Sequence, residues 1–229
     1  PVAERHCRIE RVFKLKIPCI VVTRSHRVFP EMIRLGERYH TPVLRTPSIT
    51  KHFVNAATIV MENLMAPRMT VQGTMVDILG IGVLLQGRPG VGKSEAALAL
   101  VKMGHSLVAD DVAALRLDSS GVIMATAAGV TRYHIELRGM GIIHVPSLFG
   151  VASVRNEKKL DLIITLCNME NLSADNRGGQ DDRFRNLLGV RIPHIELPVA
   201  PGRDLANLIE TAALDQILKR LGHDAAKEL

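Results

Sequence analysis

The chain has 229 residues, 47% hydrophobic and 23% charged, an ordinary globular composition with room for one large domain or one domain plus a small one. With no Trp, five Phe and two Tyr its core must be aliphatic, and its net charge of +6 suits anionic ligands without any Lys/Arg block or aromatic cluster that would nominate nucleic acid. Cys7, Cys19 and Cys167 show no C-x-x-C spacing, and the longest apolar run, residues 78–85, is far short of a membrane span, so a disulfide framework, a zinc site and a membrane protein are set aside and a reducing, cytoplasmic setting is expected.

Residues 1–16 are charged with little periodicity and read as an arm. Residues 17–23 read as a strand, 30–40 as a helix, 42–44 as a second strand, and 49–64 as a helix with Ser48 as N-cap. This β-α-β-α run predicts a small α/β domain over residues 1–66, with a boundary at Met65-Ala66-Pro67 and a second domain over residues 67–229. Residues 70–79 alternate and read as one strand, feeding a turn at Gly80-Ile81-Gly82.

The following stretch organises the rest. Val83-Leu84-Leu85 is a buried-strand run, and Gly87-Arg88-Pro89-Gly90-Val91-Gly92-Lys93-Ser94 matches G-x-x-x-x-G-K-[ST] in full. Residues 95–103 are rich in Ala and Leu, and Gly104 supplies a helix stop. In a strand–loop–helix context, glycines let backbone N–H groups cradle phosphates at the helix N-terminus. Lys93 would reach the β/γ-phosphates of a nucleotide or similar polyphosphate, and the Ser94 hydroxyl would sit on Mg²⁺.

Beyond Gly104, residues 106–109 read as a strand ending in Asp110-Asp111, where α/β proteins open their ligand crevice. Side chains alternate along a strand, so one carboxylate should face the phosphates and serve as base while its neighbour anchors backbone. Opposed faces also relieve a repulsion of roughly 3 kcal/mol for two carboxylates about 6 Å apart at an effective dielectric of about 20. Residues 113–117 and 122–125 read as a hairpin turned at Ser119-Ser120-Gly121. Residues 135–144 set Glu136, a candidate second Mg²⁺ ligand, and Arg138 beside Gly139 and Gly141, although such a pair before a glycine turn also suits a structural role. Residues 160–166 read as a strand. Arg177-Gly178-Gly179 and Pro198 to Arg203 are Arg-bearing glycine loops able to clamp a phosphoryl group or to act as plain turns. Residues 190–199 are extended. Residues 204–221 carry the strongest helical pattern, with Asp204 as cap and Gly222 as stop.

In order and spacing, GRPGVGKS, GHSLVADD, IELRGMGII and PVAPGR resemble the HPr kinase/phosphorylase family over residues 70–224. The resemblance implies a P-loop catalytic domain related to phosphoenolpyruvate carboxykinases, preceded by a small α/β domain. It implies a bacterial homo-hexamer that phosphorylates a serine of the phosphocarrier HPr with ATP or pyrophosphate and reverses this by phosphorolysis with phosphate. It makes Lys93 and Ser94 the phosphate and Mg²⁺ residues, Asp111 the proton carrier in both directions, Glu136 the second metal ligand and Arg177 a catalytic arginine. Ile135, Arg138, Gly139, Gly141 and His144 fall in the signature segment, and Pro198, Gly202 and Arg203 in the loop associated with dephosphorylation.

This chain departs from the family pattern in three places. Where the family has His in a V-H-G context, the chain reads Val71-Gln72-Gly73, and Gln carries no titratable proton. The signature ends in His144 instead of Asp. Family chains are longer at both ends, so the first domain is expected to be incomplete. Two other readings stay open at this level: a nucleotide-binding regulatory module that has lost turnover, and a P-loop kinase of small molecules.

Overall fold

A computed structural model describes residues 2–129, 132–168, 184–200 and 202–222. The chain is mixed α/β and divides into two compact units, Pro1–Met65 and Ala66–Leu229.

The first unit comprises α1 (Val2–Phe13), β1 (Ile20–Val22), α2 (Pro30–Arg38), β2 (Val43–Arg45) and α3 (Thr50–Met65), with β1 and β2 parallel. The expected arm is therefore a helix. It lacks apolar periodicity because it docks largely through polar groups: Arg5 pairs with Glu31 at 2.6 Å and lies over the Phe29 ring, and Tyr39 donates to Glu10 at 3.0 Å. Among the described residues of α1, Phe13 alone is buried, stacked on Tyr39. α3 begins at Thr50, so Ser48 stands ahead of the capping position.

The second unit holds two sheets. Its strands are β3 (Arg68–Gln72), β4 (Thr74–Ile78), β5 (Ile81–Gly87), β6 (Ser106–Ala109), β7 (Val112–Leu117), β8 (Ile123–Ala127), β9 (His134–Leu137), β10 (Gly141–His144), β11 (Glu157–Lys159), β12 (Leu162–Asn168), β13 (Phe184–Leu187) and β14 (Val190–Val199). Six form a sheet in the order β13-β14-β12-β5-β4-β6, four form β11-β8-β7-β3, and β9 pairs with β10 as a hairpin. The helices are α4 (Lys93–Lys102), α5 (Val145–Phe149) and α6 (Leu205–Arg220).

The six-stranded sheet is buried on both faces, and period-two alternation sorts its side chains. Val83, Leu85, Leu162, Ile164 and Leu166 face α4 and α6, packing on Ala97, Leu100, Ile209 and Ala213. Met75, Leu84 and Ile163 face the other way, onto Ala113, Leu115, Ile123 and Ala125 of the four-stranded sheet. Helices, sheet and sheet thus stack in three layers.

The strand expected over residues 70–79 is two strands in different sheets. Gly73, at φ 153°, lets the chain cross between them, and a Cβ there would lie 2.6 Å from the Leu85 carbonyl oxygen. The following turn is tighter than expected: Leu79 and Gly80 both have positive φ, as a two-residue hairpin requires, and β5 starts at Ile81. β11, α5 and β13 were not expected. β13 is an exposed edge strand with polar Arg185 and Asn186, so it shows no buried alternation. Asp204 caps α6 through the Asn207 N–H as expected.

Gly82 is buried where β5 meets the chain leaving β11. Its N–H donates to Asp161 at 2.9 Å, and a Cβ would fall 1.8 Å from the Lys159 carbonyl oxygen. Gly82→Ala is expected to cost at least about 3 kcal/mol, since backbone must move. Urea unfolding should show a lower midpoint with an unchanged slope; a loss below about 1 kcal/mol would mean that the two segments part freely.

Candidate active site

The parallel strands β5, β12 and β14 bring their C-terminal ends to one edge of the six-stranded sheet. β5 delivers Gly87 to that edge, packed so closely that a Cβ would lie 2.6 Å from the Leu166 carbonyl oxygen. Gly90 and Gly92 follow at φ 81° and 101°, which curls residues 88–92 into a loop before α4. The first turn of α4 leaves backbone N–H groups without intrahelical partners, an anion-binding end. Lys93 folds back over this loop, its Nζ donating to the carbonyls of Gly87 at 3.1 Å and Arg88 at 3.3 Å. Arg88 and Pro89 are exposed, while Val91 packs on the helix-side core.

Ser94 points at Asp110. Its Oγ donates to the Asp110 carboxylate, 3.1 and 3.2 Å from the two oxygens. The same carboxylate accepts from Thr74 Oγ1 at 2.7 Å and from the Glu136 backbone N–H at 3.2 Å. Asp110 is 7% exposed. Burial pushes its pKa upward, the neighbouring Asp111 charge adds to this, and the hydrogen bonds from Thr74, Glu136 and Ser94 oppose it.

Asp111 is different in every respect. It is exposed, sits at φ 60°, and its carbonyl accepts from the Gly73 N–H at 2.8 Å. Its carboxylate makes no hydrogen bond or ion pair among the described residues. The two acids therefore divide as tether and free group: Asp110 anchors the Glu136 backbone and Ser94, and Asp111 is available. Gln72 pairs with Val112 and so stands beside Asp111, with its carbonyl accepting from Gln86 at 3.2 Å.

The β9–β10 hairpin covers the loop. Ile135 and Leu137 anchor its inner side in the helix-side core, and Glu136 is exposed on the outer side. Gly139 and Gly141, at φ 83° and 82°, shape the turn. Arg138 reaches Gly90: a Cβ there would lie 2.8–3.1 Å from the Arg138 guanidinium. The dihedral at Gly90 favours glycine, and the Arg138 guanidinium lies directly over it. His144 ends β10, at the opposite end of the hairpin from the turn.

Pro198 closes β14 at the P-loop edge. Arg203 donates to the Pro198 carbonyl at 3.3 Å, and Gly202 turns at φ 79°. Leu205, just beyond, comes within 3.9 Å of where a Gly92 Cβ would stand. Arg177 lies outside the described residues. The structure thus gathers Lys93, Ser94, Asp110, Asp111, Glu136 and Arg138 and leads the Pro198–Arg203 turn toward them. Thr74 and the tethering role of Asp110 were not singled out from the sequence; Thr74 lies inside an expected strand and carries no local signal.

For a hard cation the donors fit. Ser94 Oγ and the Asp110 carboxylate are oxygens in mutual contact, and the Glu136 backbone N–H bonds to that carboxylate. No group of three or more His, Cys, Asp or Glu gathers among the described residues. Among the described residues no helix is long and apolar enough to cross a membrane.

Comparison with known proteins agrees with this geometry. The family model of the HPr Serine kinase C-terminal domain matches residues 63–229, and that of the HPr Serine kinase N terminus matches residues 1–61. The HPr kinase/phosphorylase of Caldicellulosiruptor bescii is 40% identical over 227 residues, 99% of this chain and 73% of that protein. That of Brevibacillus brevis is 40% identical over 223 residues, 97% of this chain and 72% of that protein. The solved structure of the Hpr(Ser) kinase/phosphatase from Coxiella burnetii is 35% identical with a TM-score of 0.62, covering 70% of this chain and 97% of that one. With both family models matched end to end along the chain, it belongs to the HPr kinase/phosphorylase family.

Proposed function

We propose that this chain phosphorylates a serine of HPr, or of an HPr-like phosphocarrier, with ATP as its Mg²⁺ complex or with pyrophosphate, and reverses the transfer by phosphorolysis. The observation that carries this reading is the Asp110 carboxylate holding Ser94 of the P-loop while Asp111, exposed beside it, stays free to meet an incoming hydroxyl. A regulatory module without turnover and a small-molecule kinase draw no support from the relatives, which are named as kinase/phosphorylases.

The catalytic work is assigned to residues 67–229, in a fold related to phosphoenolpyruvate carboxykinases, with residues 1–66 as a separate small domain. The P-loop amides and Lys93 hold the β/γ-phosphates; Ser94, Asp110 and Glu136 would hold Mg²⁺, which when bound would supply positive charge to the phosphates. In the forward direction the serine oxygen forms a bond to the γ-phosphorus, the bond to ADP breaks, and the serine proton passes to Asp111. In reverse, inorganic phosphate attacks the phosphoserine phosphorus, pyrophosphate forms, and Asp111 returns the proton to the departing serine oxygen. Arg138, over Gly90, and Arg177 offer positive charge to the phosphoryl group, and Arg203 holds the turn after β14 in place. The assembly is a homo-hexamer in the cytoplasm, and the basic character of the chain serves phosphate and an acidic partner surface, not nucleic acid.

Lys93→Ala should abolish transfer from ATP to HPr, because it removes the mobile cation at the β/γ-phosphates. Asp111→Asn should lower ATP-dependent phosphorylation and phosphate-dependent pyrophosphate release together, by about 10²–10⁴-fold each. Initial rates of both reactions test this; loss of one with the other spared would exclude a shared proton carrier.

Asp110 makes a separate prediction. Its raised pKa means that the metal-free fold gains stability from the protonated form, in full below the ordinary Asp value and lost as pH rises through the raised folded value. Thermal melts of metal-free wild type and Asp110→Asn between about pH 4 and 7 should show the wild type losing ground to the variant as pH rises. A difference that grows in favour of the wild type with pH would mean that the carboxylate is stabilised as the anion without a cation.

A further inference from the structure

We propose that His134 and His144 form a bidentate imidazole site for a borderline divalent cation of the Zn²⁺ class, separate from the oxygen-donor Mg²⁺ position at Ser94.

The backbone places the two residues directly opposite each other, His144 against His134 in the antiparallel β9–β10 ladder. The Val145 N–H donates to the Tyr133 carbonyl at 2.9 Å, so the adjoining 133/145 pair is hydrogen-bonded. Pairs alternate, which makes 134/144 the closer, non-hydrogen-bonded kind, the spacing that suits two side chains acting together. The ring centroids are 4.9 Å apart and the planes are inclined at 47°. A tetrahedral ion with Zn–N bonds of about 2.0–2.1 Å sets two bound imidazole centroids at roughly 5 Å.

The hydrogen bonding favours the same nitrogen on both rings. His134 Nδ1 is 2.8 Å from the Arg132 carbonyl oxygen, which can only accept, so Nδ1 carries a proton and Nε2 is the nitrogen left for an ion. His144 Nδ1 is 2.6 Å from Ser147 Oγ, a hydroxyl that can donate or accept, so this contact holds the ring by Nδ1 and leaves Nε2 facing away from it for an ion. A ligating His whose second nitrogen is held by a carbonyl or hydroxyl is the usual outer-shell arrangement of metal sites, since it fixes tautomer and ring orientation. His144 is exposed and His134 half-exposed, so an ion has access from solvent. No third His, Cys, Asp or Glu joins them among the described residues, so water completes the shell and the ion exchanges. Imidazole selects Zn²⁺, Ni²⁺ or Cu²⁺ over Mg²⁺, which keeps the two sites chemically distinct. An ion here cross-links the hairpin at the end opposite its glycine turn, clamping the element that carries Glu136 and Arg138.

Calorimetric titration of the nucleotide-free protein with ZnCl₂, and histidine ¹⁵N NMR of the same sample, test the site. One saturable Zn²⁺ event is expected to disappear in His134→Phe and in His144→Phe, each of which keeps an aromatic ring in the cross-strand contact. Ser147→Ala should weaken it by about 10–100-fold, the usual cost of losing an outer-shell partner. MgCl₂ should produce no such event. In the unmodified protein, both Nε2 resonances should move on Zn²⁺ addition while both Nδ1 stay protonated. A Zn²⁺ event that survives both Phe substitutions, or an Nε2 resonance of either histidine that does not move, overturns the assignment.

Discussion

The carboxylate of Asp110 joins three elements that are distant along the chain: Thr74 at the start of β4, Ser94 at the start of α4 and the backbone of Glu136 in β9. Removing an ionised carboxylate from water is costly unless hydrogen bonds replace its hydration. Here two hydroxyls and an amide do so, yet the pKa is still raised with burial as the leading cause, so compensation by the protein alone is incomplete. A cation beside Ser94 would complete it.

That arrangement depends on the chain changing sheets at Gly73. β3 belongs to the four-stranded sheet and β4 to the six-stranded one, and the Gly73 N–H bonds to the Asp111 carbonyl at the crossing. The same crossing sets Thr74 against Asp110 and leaves Gln72 at the edge beside Asp111. Since a Cβ at Gly73 would strike the Leu85 carbonyl, the glycine there serves the neighbouring strand that leads into the P-loop as well as the crossing itself. Packing on both faces of the six-stranded sheet then fixes β4, β5 and β6 relative to one another.

Where the sequence carries redundant local signals, it predicts well. The P-loop has glycines, lysine and helix formers in one register, and α6 has a capping Asp, an apolar stripe and a glycine stop. α1 was missed because Arg5 and Glu10, not apolar residues, make much of its docking face. The break between β3 and β4 is marked locally only by Gly73, since alternation continues through it and a glycine inside a strand does not say that the strand changes partners. The division of labour between Asp110 and Asp111 was half legible: alternation requires them to differ, and residue-type chemistry says that one can tether backbone. Which one is buried follows from Asp111 taking a left-handed dihedral at 60°, a tertiary outcome with no signature in the dipeptide.

The hairpin of β9 and β10 shows how the same fold separates stability from chemistry. Its inner residues, Ile135 and Leu137, belong to the helix-side core, together with Val145 just beyond β10. Its outer residues, Glu136 and His144, are exposed, and Arg138 at the turn lies over Gly90. Period-two alternation is enough to produce this split: residues that must hold position are buried, and residues that must meet a ligand are one step away on the same rigid backbone. The Glu136 N–H bonded to Asp110 adds a backbone tie that no side-chain substitution on the outer face removes. Outer positions of the hairpin can therefore change, as His144 has relative to the pattern that the chain resembles, while the backbone that presents them remains where the core puts it.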